Sequence, residues 1–116
     1  MKKDSFQENI VHGENGVKTV VILETSFSKE IRIVFKKGQV MKEHKAGFPI
    51  IVHILKGSIE FGVEGVKNQM DEGAIITLDS NVPHDLFAQE DSIVRLTLSK
   101  QDNVDRVQKV VEDSKQ

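Results

Sequence analysis

Phe48-Pro49-Ile50-Ile51-Val52-His53-Ile54-Leu55-Lys56-Gly57-Ser58-Ile59-Glu60-Phe61-Gly62-Val63 reads as two strands joined at a glycine turn. The first half is apolar, rich in β-branched residues and far too short to span a membrane. The second alternates apolar with small or polar residues, the period-two pattern of a half-buried strand. If Ile50, Val52 and Ile54 face a core, Ile51, His53 and Leu55 face the opposite side. Both faces of that strand are then apolar. The outer face needs its own cover, from N-terminal strands or from a second subunit.

Similar runs lie on either side. Val17 to Leu23 follows Gly13-Glu14-Asn15-Gly16, and Ile31 to Phe35 precedes Lys36-Lys37-Gly38, so N-terminal strands occupy about 17–35. Downstream, Gly73 to Leu78, Asp85 to Ala88 and Ser92 to Leu98 have the same character. Short strands with glycine-bearing turns and no intervening helix point to an all-β fold, a small antiparallel β-barrel or jelly roll. Only the C-terminus has a helical period. Val104, Val107 and Val111 recur every three or four residues, Val110 sits beside them, and Asp102 and Asp105 suit a capped start. A short helix over about 102–114, laid on one end of the barrel, is the expected arrangement.

A chain of 116 residues has room for one domain, 1–116, with one core. With six Phe and neither Trp nor Tyr, that core must be built from Val, Ile and Leu. A net charge of -2, with Lys and Arg interleaved among Asp and Glu, gives no concentrated basic face for nucleic acid or an anionic membrane. The absence of cysteine excludes disulfides, thiolate catalysis, iron–sulfur clusters and thiolate zinc sites. The charged start, Met1-Lys2-Lys3-Asp4, is not followed by the apolar stretch of a signal peptide, so a cytoplasmic location is expected.

The middle of the chain, roughly 31 to 98, resembles the cupin superfamily. That family's first motif runs glycine, five residues, His-x-His, three or four residues, glutamate, six residues, glycine. Gly38, His44 and Gly57 fall on the glycine, first histidine and closing glycine. Its second motif runs glycine, five residues, Pro-x-Gly, two residues, histidine, three residues, asparagine; Gly73 opens it and His84 falls on the histidine position. The phrases Ile54-Leu55-Lys56-Gly57-Ser58-Ile59 and Val82-Pro83-His84-Asp85 look like the family's strand ends. The departures carry as much meaning. Ala46 replaces the second histidine, Ile50 the glutamate, Asp79 and Asn81 the proline and glycine, and Ala88 the asparagine.

The resemblance implies that His44 and His84 come from neighbouring strands and point into the barrel mouth. There they would be the remaining half of a four-ligand set for iron, manganese, nickel or zinc. Ala46, Ile50, Val52 and Met41 would complete the pocket with apolar wall. Two imidazoles leave most of an ion's coordination sphere to water, which weakens binding. The favoured reading is therefore a small-molecule-binding domain anchored by His44 and His84. The alternative is a metal-dependent oxygenase or isomerase that takes a third ligand from His53, Asp85, the substrate or a shifted register. His53, by alternation, is expected at a homodimer interface rather than on a metal. His12 is expected at the surface, and Met41 and Met70 as core fillers.

Overall fold

The computed structural model describes residues 1–100. They form nine strands: β1 (Lys18–Glu24), β2 (Ser28–Phe35), β3 (Val40–His44), β4 (Ile50–Lys56), β5 (Ser58–Val63), β6 (Val66–Asp71), β7 (Ile75–Leu78), β8 (His84–Ala88) and β9 (Ser92–Ser99). Every pairing is antiparallel. One sheet has the order β1-β2-β9-β4-β7 and the other β3-β8-β5-β6. The expected helix at 102–114 lies outside the described residues. No helix among them is long and apolar enough to cross a membrane.

The expected closed barrel is corrected to a two-sheet sandwich. No main-chain ladder joins the two sheets among the described residues. The chain changes sheet at six connections, 36–39, 45–49, Gly57, 72–74, 79–83 and 89–91, and the layers meet through side chains instead. Ile33, Phe35, Ile50, Val52, Ile54 and Val94 come from one sheet, and Ile59, Phe61, Met70, Leu86 and Ala88 from the other. At roughly 1.5–3 kcal/mol for each fully buried large apolar side chain, this interdigitation holds the layers together. Two of these, 45–49 and 79–83, lie at one end, here called the upper end, with the ends of β1, β5 and β9.

The alternation read in β4 holds: Ile50, Val52 and Ile54 are buried, and Ile51, His53 and Leu55 lie on the outer face. Part of that face is covered by N-terminal residues, though by an irregular segment before β1 rather than by strands. Arg32 Nη1 donates to the carbonyls of Phe6 (3.3 Å) and Glu8 (2.8 Å), and Nη2 to that of Asn9 (3.1 Å). The Phe6 ring lies 5.5 Å from the Arg95 guanidinium. Beneath this strap, Glu30 accepts from Ser28 (2.8 Å), Arg95 (2.9 Å) and Thr97 (2.6 Å). Burial pushes the Glu30 carboxyl up, but these donors outweigh it and hold its pKa below the ordinary value. The cover stops short of Ile51 and Ile75, which remain 40% and 60% exposed.

Gly57, the closing glycine of the first motif, joins β4 to β5 with φ +91°. A Cβ there would run into Ser92 Oγ and the Asp91 carbonyl. Gly38 has a similar φ of +88°, but a Cβ would meet nothing within 4 Å. A left-handed conformation costs a non-glycine residue about 1–2 kcal/mol. Gly38→Ala should therefore lose about 1 kcal/mol, and Gly57→Ala at least about 3 kcal/mol once the collision is added. Urea unfolding of the two variants checks this, and equal losses would contradict the packing account.

Candidate functional site

His44 closes β3 and His84 opens β8, and they stand directly opposite each other across the ladder. Simple alternation would not put His44 there. Met41 pairs with Leu86 and faces the core, and a side chain three positions on would ordinarily face outward. The register shifts in between: Met41 to His44 is three steps along β3, while Leu86 to His84 is two along β8. This bulge adds one residue to β3 and turns His44 to the face that Met41 and His84 share.

The rings are 4.3 Å apart between centroids and tilted by 59°. Phe61, from the neighbouring β5, stacks on His84 at 5.7 Å and 18°. His44 is exposed at the rim, whereas His84 is buried, with 4% of its surface accessible. Each ring is fixed by the carbonyl two residues before it. His44 Nδ1 meets Lys42 O at 2.7 Å, and His84 Nδ1 meets Val82 O at 2.9 Å. A carbonyl only accepts, so Nδ1 carries the proton in both, and in the neutral rings Nε2 carries the lone pair. Arg32 Nε is the one sealed side-chain polar atom without a partner among the described residues. Among the described residues neither ring's Nε2 has a hydrogen-bond partner.

The two loops that deliver these histidines are tied together. Asn81 N–H donates to Ala46 O at 2.7 Å. Asn81 stands where the family motif has glycine, and its φ is +64°. Asparagine is one of the few residues that tolerates this conformation, so the turn survives the substitution. Ile50 and Val52 are sealed in the core at 3% exposure, and Met41 and Ala46 pack against that core. The site is therefore shallow: two imidazoles at the upper end over a packed aliphatic floor.

The other candidate donors point elsewhere. His53 lies on the outer face of the other sheet, between Arg95 and Ile75. Asp85 turns outward on β8, its carboxylate lying over Gly62. Among the described residues no three His, Cys, Asp or Glu side chains converge as a metal-ligand group. Of themselves the described residues offer a divalent ion no more than the His44–His84 pair. His12 is exposed, and Met70 is buried in the core. The β3 bulge, the Phe61 stack and the two carbonyl anchors have no sequence signal beyond the motif spacing itself.

No protein-family model matches the chain, and neither does any curated protein sequence. Solved structures do match. An RmlC-like cupin protein from Desulfovibrio desulfuricans aligns with a TM-score of 0.78 at 22% identity, over 85% of this chain and 96% of its own. An RmlC-like cupin from Shewanella frigidimarina gives 0.74 at 19%, over 89% and 95%. A conserved protein of unknown function from Streptococcus pyogenes gives 0.74 at 20%, over 88% and 90%. At such identities the likeness is one of fold.

Burial lowers the His84 pKa from the ordinary 6.5, opposed by the Val82 carbonyl and reinforced by His44. A depressed folded-state pKa gives stability that is complete above 6.5 and is lost as pH falls through the folded value. Proton NMR titration of the His84 ring should give a value below 6.5, with unfolding free energy declining over the same range. Titration at or above 6.5 would contradict the burial of this ring.

Proposed function

On the premise that this chain has the cupin fold, we propose that it binds a small molecule at the upper end of its sandwich, in the cytoplasm. The observation that carries this reading is the pair of rings, each with its Nδ1 held by a main-chain carbonyl and its Nε2 free. Two neighbouring lone pairs accept hydrogen bonds, so they suit a ligand that presents two adjacent donors. Polyols and phenols fit this better than carboxylates, which would set lone pair against lone pair while the rings are neutral. The apolar body of such a ligand would rest on the aliphatic floor around Ala46 and Ile50.

A metal-dependent oxygenase or isomerase using the same rings is the competing reading. It needs at least one more protein donor, and His53 and Asp85 both face away. Isothermal titration at pH 7.5 against polyols, phenols and carboxylates separates the two. Binding of a donor-bearing ligand should persist in the presence of a chelator and weaken at least about tenfold in His44→Ala, the cost of one good hydrogen bond. Indifference to the whole panel, or binding abolished by the chelator, would overturn the reading.

A second copy of the chain is proposed on the uncovered part of the β1-β2-β9-β4-β7 sheet, where Ile51 and Ile75 stand exposed beside His53. Sedimentation at micromolar concentration should show a dimer that Ile75→Lys dissociates. A monomer unaffected by that change would contradict this interface.

A further inference from the structure

Arg32 is a buried cation, 4% exposed, and no carboxylate among the described residues pairs with it. Buried charges are ordinarily paired. Its cross-strand neighbour Arg95 takes Glu30, whose oxygens are also held by Ser28 and Thr97. Of these three charged groups two are positive and one negative, so one positive charge is left over. Only the strap carbonyls of Phe6, Glu8 and Asn9 meet it. Glu8 itself is exposed and supplies its main-chain oxygen, not its carboxylate.

Those carbonyls leave part of the guanidinium unused. Nη1 makes two hydrogen bonds and Nη2 one, while Nε, sealed from solvent, makes none. A guanidinium presents Nε–H and one terminal N–H as a parallel pair, the fork that a carboxylate or phosphate fills with two oxygens. Such charge-assisted bonds are roughly twice as strong as those to neutral acceptors. Little else holds the strap down. Besides the Phe6 ring on Arg95, Lys2 donates to the Glu24 carbonyl at 3.1 Å from an exposed position. None of residues 1–17 is buried, and they form no strand. A hollow of about 330 Å³ lies between Gln7 and Ile10 of the strap and Leu55 and Ile93 of the sheet.

We propose that Arg32 is the receptor for an oxyanion, a carboxylate or phosphate group, and that the strap is its resident competitor. The arriving group takes the Nε edge with two oxygens and supplies the missing negative charge. In doing so it displaces the carbonyls of Phe6, Glu8 and Asn9. Segments with few buried contacts open at low free-energy cost, so the exchange needs no rearrangement of the sheets. It also lifts Phe6 from Arg95 and bares the outer face around both arginines. Arg32 faces outward from its sheet, whereas His44 and His84 face the core from the other. The two sites are separate, and this one stands whether or not the histidines hold a ligand.

The Arg32 Nε–H resonance in a proton–nitrogen correlation spectrum of the unsubstituted chain reads the site directly, and Arg32→Lys identifies it by its loss. Inorganic phosphate, and acetate in a separate titration, should move it downfield to saturation. Sodium chloride at equal ionic strength should leave it in place, and the Arg95 Nε–H, already bonded to Glu30, is the internal reference. Saturation by either oxyanion supports the proposal, and the one needed at lower concentration names the preferred group. The strap is followed through Phe6→Trp, since the chain contains no Trp. At saturation its emission should shift to the red and its acrylamide quenching constant rise several-fold. With Arg32→Gln added, emission should be red-shifted from the start and indifferent to either oxyanion. His44→Ala should leave both responses unchanged. An Arg32 Nε–H that ignores both oxyanions, or answers equally to chloride, would overturn the proposal, as would saturation with the strap signal unmoved.

Discussion

One extra residue in β3 brings the rings of His44 and His84 onto one face. Without the bulge between Met41 and His44, the His44 ring would leave the face it shares with His84. The two rings would then be separated by the sheet, and the upper end would hold one buried imidazole with no partner. With the bulge they lie side by side, each held by a carbonyl at a fixed two-residue offset. The Asn81–Ala46 hydrogen bond locks the loops that follow β3 and precede β8, so the bulge and the pairing it creates are supported from both sides. Pre-organisation of this kind lowers the ordering cost of binding.

The sandwich around the site solves a separate problem, that of a sheet apolar on both faces. On the β1-β2-β9-β4-β7 sheet, Arg32 and Arg95 are direct cross-strand neighbours, an arrangement that like charge disfavours. Glu30 neutralises one, and three carbonyls of the N-terminal strap receive the other. The strap is therefore held to the sheet by the charge it covers, and it covers only the part of the face where that charge lies. The aliphatic part near β7, Ile51 and Ile75, is left bare.

Much of this is legible in the sequence, and the reasons differ by element. The strands that build the core carry β-branched residues in alternation, so β4, β5 and β9 can be read from their side chains. β3 and β6 do not stand out as separate strands, because Val40-Met41-Lys42-Glu43-His44 and Val66-Lys67-Asn68-Gln69-Met70-Asp71 expose nearly every residue and lack that alternation. Barrel closure is the expectation that fails: the pattern shows which face a residue takes but not whether the outermost strands exchange hydrogen bonds. The pairing of His44 with His84 is legible only through motif spacing. That spacing hides the bulge, since a count along the chain does not say which way a side chain turns. The glycine positions translate directly into backbone geometry. Gly38, Gly57 and Gly73 all have positive φ, and Asn81 keeps it where the motif glycine is lost.

The central claim is that the two imidazoles share one face with both Nε2 atoms free. Long-range proton–nitrogen correlation NMR of the ¹⁵N-labelled protein at pH 8 tests it most directly, together with ring-to-ring Overhauser contacts. The account predicts the Nδ1–H tautomer for both His44 and His84, and cross-peaks between their ring protons. An Nε2–H tautomer at either residue, or no contact between the rings, would contradict it.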